Sequence, residues 1–293
     1  MEASDGQFEI GSTAADVTTL SFDPVHPLTG PVAVEGASPG DVLAVTLLDI
    51  EVDYDLPELA PGVFAMLSPA DGTGPELGRP FSLYDQRGRV LRFLIQVMGV
   101  GTQSLARVEV GALITLTFPL GNGFAVESPE RPVVMVAGGV GSAPFLLYAR
   151  HRMQLGADAN TWVLFGARTA DRLYDAEGLA AEGAPMLYAT DDGSRGFHGN
   201  VVQLLDQELA TGRLPRDARF CACGPEGLLH GFAAYARENE LDAQLSLETY
   251  MGCGFGVCNA CPVETQPDGT FGNWPWARTC EVGPVFALSD IKF

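Results

Sequence analysis

Three cysteines, Cys253, Cys258 and Cys261, stand in the spacing C-x4-C-x2-C within a glycine-rich stretch, and Cys280 follows after eighteen intervening residues. This is the plant-type ligand spacing of a [2Fe-2S] cluster, in which four thiolates serve two irons bridged by sulfides. Gly252, Gly254 and Gly256 let the backbone turn tightly enough to aim the thiolates inward. A structural zinc site also takes four thiolates, but its ligands usually come as two short C-x2-C pairs, whereas one loop here supplies three. Disulfides need an oxidising compartment, and the N-terminal MEASDGQFEI has no basic stretch followed by an apolar run that would export the chain. Cys221 and Cys223, in RFCACGPEG, end an apolar run before a Gly-Pro turn. They read as buried strand thiols, and Cys223, nearest the turn, is also a candidate neighbour of a cofactor.

Three further strings carry groups suited to phosphates. Arg79-Pro80-Phe81-Ser82-Leu83-Tyr84 sets an arginine and a hydroxyl on one strand. A planar guanidinium can grip a pyrophosphate, and an adjacent aromatic can cover a flavin ring. The plain alternative is that Phe81, Leu83 and Tyr84 only alternate between the two faces of a strand. Gly99-Val100-Gly101-Thr102 adds glycines that admit a phosphate to the backbone, and a hydroxyl beside them. VVMVAGGVGSAPF, at 133–145, reads as a strand, a glycine cluster and the opening of a helix, whose N–H groups and dipole favour an anion. The literal G-x-G-x-x-G fingerprint is absent from it.

The elements that must position these groups fall into two patterns. Between 59 and 118 the runs VFAML, RPFSLY, VLRFLIQVMG and ALITLTF are short, β-rich and broken by turns, which predicts a small antiparallel barrel closed by PLGNGF at 119–124. From 133 onward the strand-then-turn grammar repeats in TWVLFGAR (161–168), PMLYATDDG (185–193) and RFCACGPEG (219–227). Helical patterns lie between and after them, in NVVQLLDQELATG (200–212) and GLLHGFAAYARENE (227–240). Strand and helix in alternation predict a parallel sheet covered on both faces, with ligands at the carboxyl ends of its strands. Upstream, PVAVEGASPGDVLAVTLLDI (31–50) predicts two antiparallel strands about a turn at Pro39 and Gly40, and His26, between prolines, reads as a loop residue.

Composition narrows the classes. A chain of 293 residues exceeds the usual single domain, and 46% apolar residues suffice for a full core. A net charge of −20, with 17 basic residues in no long run, excludes nucleic acid as the main ligand. No apolar window reaches the ~18 residues of a membrane span, so the expected location is the cytoplasm.

HPLTGPVAVEGASPGDVLAV resembles the N-terminal part of the acetamidase/formamidase family over residues 7–52, and nothing later continues that pattern. It reads as a borrowed or fused β segment without that activity. From Pro61 to Phe293 the chain resembles the electron-transfer subunits of NAD-linked dihydroorotate dehydrogenase, within the ferredoxin reductase superfamily. The resemblance rests on RPFSLY, GVGT, PLGNGF, VAGGVGSAPF, CACGPEGLL and the cysteine loop ending in CEVGPVF, in that order. It implies an FAD-binding antiparallel barrel (59–128), a Rossmann-like parallel-sheet nucleotide domain (129–245) and a C-terminal [2Fe-2S] module (246–293), preceded by the N-terminal β segment (1–58), which can complete the barrel.

Residue by residue, the resemblance puts FAD on Arg79, Pro80, Phe81 and Ser82, on Leu94, Ile95 and Gln96, and on Gly101 and Thr102. It puts the cluster on Cys253, Cys258, Cys261 and Cys280. NAD is expected near Gly138, Gly139 and Gly141 and near Cys223, Gly224 and Pro225. The implied partner is an FMN-containing dihydroorotate dehydrogenase catalytic subunit, in a heterotetramer serving pyrimidine biosynthesis. Electrons from dihydroorotate would cross to the cluster, pass to FAD and leave as NADH, with no catalytic acid or base in this chain. Rival readings are a flavin and iron-sulfur subunit of a hydrogenase, a ferredoxin:NAD(P) transhydrogenase, or a fusion product that binds only the cluster. Asp191 and Asp192 would sit awkwardly beside a 2′-phosphate if they lie near the ribose. The chain departs from the family pattern in an inserted FGNWPWAR, which brings Trp274 and Trp276 close to the cluster, and in its N-terminal strands.

Overall fold

A computed structural model describes residues 45–293. The expected turn at Pro39 and Gly40, and His26, lie outside the described residues.

The first sheet holds β1 (Val45–Glu51), β2 (Phe64–Pro69), β3 (Arg79–Arg87), β4 (Val90–Gln96) and β5 (Ile114–Leu120), in the order β1-β4-β3-β2-β5, with all neighbours antiparallel. The four runs read from the sequence are β2 to β5. To them β1 adds an edge strand, paired with β4 along its whole length from Val45↔Gln96 to Glu51↔Val90. Leu67, Leu83, Leu91, Phe93 and Ile95, each at most 1% exposed, form its core. The GVGT string opens a short helix, α1 (Val100–Ala106).

The second sheet starts with β6 (Val133–Gly138), buried at every position, as expected of a strand covered on both faces. There follow α2 (Ala143–Gln154), β7 (Thr161–Ala167), α3 (Ala176–Ala181), β8 (Met186–Thr190), β9 (Phe197–His198), α4 (Val201–Ala210), β10 (Arg219–Cys223), α5 (Glu226–Glu238) and β11 (Asp242–Ser246). The parallel order is β11-β10-β6-β7-β8-β9. The chain therefore moves outward from β6 through β7 to β9, then returns to the other side of β6 with β10. The reversal makes the carboxyl ends of β6 and β10 the switch point where such sheets bind ligands.

After β11 come a two-stranded ribbon, β12 (Pro262–Glu264) with β13 (Trp276–Arg278), then α6 (Thr279–Val282) and β14 (Val285–Ala287). The last of these pairs antiparallel with β11, Leu245 opposite Phe286, so the GPVF string ends as an edge strand of the nucleotide sheet. Among the described residues, no helix is long and apolar enough to cross a membrane.

Polar clamps hold the layers together. Arg152, 0% exposed, donates to Thr161 Oγ1 and to the carbonyls of Glu127, Ser128, Arg131 and Asn160, tying the connection between the two sheets to α2 and β7. Every one of those acceptors is neutral, so dipoles supply the direct contacts to the buried cation, and the charges of Glu127 and Glu130 add attraction. Asp85 on β3, 2% exposed, pairs with Arg150 of α2, which also forks onto Glu182 at 3.0 and 2.6 Å. Tyr84 donates to Asp175 ahead of α3. Burial first, then that carboxylate, pushes the Tyr84 phenol above its ordinary range.

Candidate functional site

The four cysteines of the C-terminal loop gather as two pairs of free thiols. Cys261 Sγ and Cys280 Sγ lie 3.2 Å apart, well beyond the ~2.05 Å of a disulfide. Cys253 Sγ faces Cys258, and it also accepts from the N–H groups of Val257 and Cys258 at 3.4 Å each. Gly256 N–H donates to Cys280 Sγ at 3.1 Å. Desolvation raises the Cys253 pKa, but the N–H donors of Cys258, Phe255 and Val257 outweigh it and bring the thiol down to about 6. Burial, then the neighbouring Cys261, pushes Cys280 up to about 12. Among the described residues, no group of three or more His, Cys, Asp or Glu is placed to hold a single metal ion. Two thiol pairs with backbone donors turned toward their sulfurs suit two irons better than one.

The loop is fastened at several points. Arg278 reaches across from β13 to Gly256 O at 2.5 Å and Asn259 Oδ1 at 3.1 Å, and pairs with Glu281. A Cβ at Gly254, whose φ is +83, would fall 2.5 Å from Met66 Cγ, so the loop lies directly on β2. Cys261 and Cys280 are buried against Phe64 and Met66 of that strand. The PLGNGF and GPVF strings, far apart in sequence, meet beneath them. Asn122 N–H donates to Gly283 O at 2.6 Å and its side chain to Glu281 O at 2.9 Å. A Cβ at Gly121 would strike Phe64 and Pro284, both at 2.7 Å. Barrel, cluster loop and the β14 edge therefore meet at one junction.

Next to β2 runs β3, with Ser82 opposite Phe64 and Pro80 opposite Met66. Arg79, Pro80, Phe81 and Ser82 are all half-buried, whereas Leu83, Tyr84 and Asp85 beyond them are buried. The β3–β4 ladder ends at Leu83↔Phe93, so residues 79–82 and 94–96 run on without pairing to each other. The half-buried face of 79–82 is one of the two stretches to which the resemblance assigns FAD, and its partial exposure suits a flat ring system. Leu94 and Ile95, 6% and 1% exposed, turn their side chains into the core and offer such a ligand only backbone, while Gln96 is half-buried.

Gly101 serves Arg79, for a Cβ there would fall 3.1 Å from its Cγ and Nε. Arg79 Nη1 in turn donates to Leu77 O at 2.8 Å, which fixes the fork. The Thr102 hydroxyl is engaged in the α1 cap, accepting from Met98 N–H and Gly99 N–H at 2.9 and 3.0 Å.

At the switch point the glycines divide their roles. A Cβ on Gly141 would fall 2.4 Å from Gly224 Cα and 2.5 Å from Cys223 O. One on Gly138 would lie 2.4 Å from Leu228 Cδ1 and 3.0 Å from Pro225 Cδ. These two let the turn after β6 close on the turn after β10. Gly139, with φ +53, faces open space instead. Ser142, 1% exposed where α2 begins, has a hydroxyl with no hydrogen-bond partner. An open glycine and an unpaired hydroxyl at a helix N-terminus fit an anionic group such as a pyrophosphate. Burial pushes the Cys223 thiol up to about 12, so it stands there as a neutral, partly buried group. Asp192 accepts from Ser194 N–H and Oγ, and those bonds lower its pKa.

Sequence reasoning did not foresee the junction at Asn122 or the strap at Arg278. Both rely in part on backbone carbonyls, Gly283 O and Glu281 O for Asn122 and Gly256 O for Arg278, which leave no trace in residue type.

Comparisons with known proteins agree with this layout. Residues 248–292 match the iron-sulfur cluster binding domain of dihydroorotate dehydrogenase B, and 135–233 match the oxidoreductase NAD-binding domain. Residues 1–127 match the acetamidase/formamidase family, a longer reach than the 7–52 of the sequence motif, although 45–120 fold as the five-stranded sheet. The electron transfer subunit of dihydroorotate dehydrogenase B (NAD(+)) from Desulforamulus reducens is 31% identical over 242 residues, covering 80% of this chain and 89% of that one. The Bacillus cereus subunit of the same name is 32% identical over 235 residues, covering 79% and 86%.

Among solved structures, an NADH-dependent reduced ferredoxin-NADP oxidoreductase gives a TM-score of 0.68 at 26% identity, covering 80% of both chains. The FAD/NAD-binding domain of a Vibrio cholerae nitric oxide dioxygenase shares the fold, with a TM-score of 0.57 at 23% identity, covering 69% of this chain and 93% of that one. The thiol pairs, the half-buried start of β3 and the switch-point turn thus occur together in a chain that belongs to the family of dihydroorotate dehydrogenase B electron transfer subunits.

Proposed function

We propose that this chain carries electrons between a partner dehydrogenase that oxidises dihydroorotate and NAD. A [2Fe-2S] cluster is held by Cys253, Cys258, Cys261 and Cys280. FAD lies along Arg79, Pro80, Phe81 and Ser82, against the backbone of Leu94, Ile95 and Gln96, with Gly101 and Thr102 shaping the α1 end. NAD enters over Gly139, between the Gly138–Gly141 turn and Cys223, Gly224 and Pro225. When bound, the flavin supplies exchange between two-electron hydride chemistry and one-electron transfer.

The protein's own task is placement. The observation that carries the reading is the seat of Cys261 and Cys280 on Phe64 and Met66, one strand away from Arg79–Ser82. Neighbouring strands lie about 4.8 Å apart, so the thiols seated on β2 lie close to the 79–82 stretch of β3 in the same sheet. Asp85, Arg150 and Glu182 clamp that sheet to α2, the helix that opens at the nucleotide turn. No side chain of this chain need take up or release a proton.

The division into 1–58, 59–128, 129–245 and 246–293 belongs to the same proposal, with β1 lent to the barrel and β14 lent to the nucleotide sheet. A cytoplasmic location follows from the need to keep four thiols reduced until a cluster is built. Tyr250, Phe255 and Val257, 78%, 57% and 71% exposed, lie in or beside the cysteine loop and form the face offered to the catalytic subunit, whereas Trp274 and Trp276 sit further along the β12–β13 ribbon, away from its Cys261 end.

Purification of the chain with its partner without oxygen tests the reading. The visible spectrum should contain flavin and cluster bands together, and dihydroorotate plus NAD should yield NADH. Cluster bands without flavin would sink it. The likeness to the ferredoxin-NADP oxidoreductase favours a second reading, in which the donor is reduced ferredoxin. Turnover with ferredoxin and none with dihydroorotate would select that one.

A further inference from the structure

Thr279 precedes the fourth cysteine and is 0% exposed, yet its hydroxyl has no hydrogen-bond partner. Native folds seldom leave such a group unpaired, and an orphan of this kind points to a partner outside the protein chain.

The ribbon beside it ties Thr279 to the thiols. The β12–β13 ladder runs from Glu264↔Trp276 to Pro262↔Arg278. Past its end Thr279 N–H donates to Cys261 O at 2.9 Å, and Thr279 opens α6 directly before Cys280. Thr279 is thus joined through its backbone to both buried cysteines, whose sulfurs lie 3.2 Å apart. The backbone does not supply the missing acceptor, since no carbonyl lies within hydrogen-bond range of this hydroxyl.

We propose that Thr279 Oγ1 donates a hydrogen bond to a sulfur of the cluster held by Cys261 and Cys280, and thereby raises its reduction potential. The inference rests on the assignment of the cysteines as cluster ligands. Reduction adds one electron and no proton, so the hydroxyl keeps its hydrogen throughout. A donor aimed at sulfur stabilises the added negative charge and favours the reduced form. Gly256 N–H already plays this part toward Cys280, and Thr279 would supply a second, buried donor. Thr279 is in this sense a positioning residue for charge and takes no part in bond making.

The test is an EPR-monitored redox titration of the complete complex carrying Thr279→Val, which keeps the shape and removes the donor. One hydrogen bond to a charged acceptor changes an equilibrium about tenfold. The midpoint should therefore fall by about 59 mV, the one-electron equivalent of a tenfold change. Thr279→Ser should stay near the wild-type value. Unchanged potential in the Val variant at full iron and sulfide content would overturn the proposal. If the Val variant fails to hold its cluster, Thr279→Ser and Thr279→Ala provide the same reading: a lower potential in Ala alone supports the hydrogen bond, and equal potentials reject it. A wild-type complex with no iron or sulfide would instead reject the ligand assignment beneath the proposal.

Discussion

At the cysteine loop and at the turn after β6 the chain bends through glycine, and the two bends differ in what the missing side chain admits. Gly254 admits Met66, so the loop is pressed onto the barrel while its N–H groups turn toward sulfur. Gly138 and Gly141 admit Leu228 and the Gly224 backbone, so the turn closes on the chain itself, and only Gly139 is left facing free space. The loop is thus specified by groups its side chains bind, and the turn by what its backbone leaves uncovered. Equivalent lesions should therefore fail in different ways.

The largest effect is expected at the loop. Cys258→Ser, at an exposed cysteine of the proposed ligand set, should abolish or destabilise the cluster while leaving NADH-dependent flavin reduction largely intact, as EPR and stopped-flow absorbance would record. Loss of flavin reduction with the cluster preserved would reverse the roles assigned to the two regions. Gly141→Ala comes next. Its new Cβ meets backbone atoms at 2.4 and 2.5 Å, which cannot yield as a side-chain tip does. A loss of about 3 kcal/mol, the upper part of the overpacking range, is expected in denaturant unfolding.

Gly139→Ala meets nothing within 4 Å and carries only the strain of φ +53, about 1–2 kcal/mol. It should raise the KM for NADH more than it lowers stability. Equal destabilisation by the two alanines would erase the distinction between packing glycine and open glycine. The smallest effect is chemical. In protein stripped by a chelator, alkylation of Cys253 should rise through pH 6, because a lowered pKa populates the thiolate above that value. Cys280, held up to about 12, should stay unreactive at neutral pH when peptides are mapped by mass.

Much of this was legible in the sequence, for local reasons. C-x4-C-x2-C points to four-thiolate ligation without knowledge of the fold, and β6 announces itself as six residues of nearly unbroken apolar character. The helices read at 200–212 and 227–240 became α4 and α5 within two residues. The strand β14 was not legible, because three residues are too few to show a period and its partner β11 lies far back in the chain. Nor was the service of Gly101 to Arg79, since a glycine in a phosphate-like string looks the same whether it admits a ligand or a neighbouring side chain. The part Thr102 plays in the α1 cap was equally hidden, for a hydroxyl in a loop and a hydroxyl in a helix cap are one letter.

The pairing of β11 with β14 bears on what holds the thiols in place. Residues 247–284, which include Cys253, Cys258, Cys261 and Cys280, form an excursion whose two ends are stitched together by one sheet. Near the second end, Asn122 adds bonds to Glu281 O and Gly283 O. The geometry of the cysteine segment is thus anchored in the nucleotide sheet: a lesion that frays β14 loosens the segment at its C-terminal end, although no thiol lies in that strand.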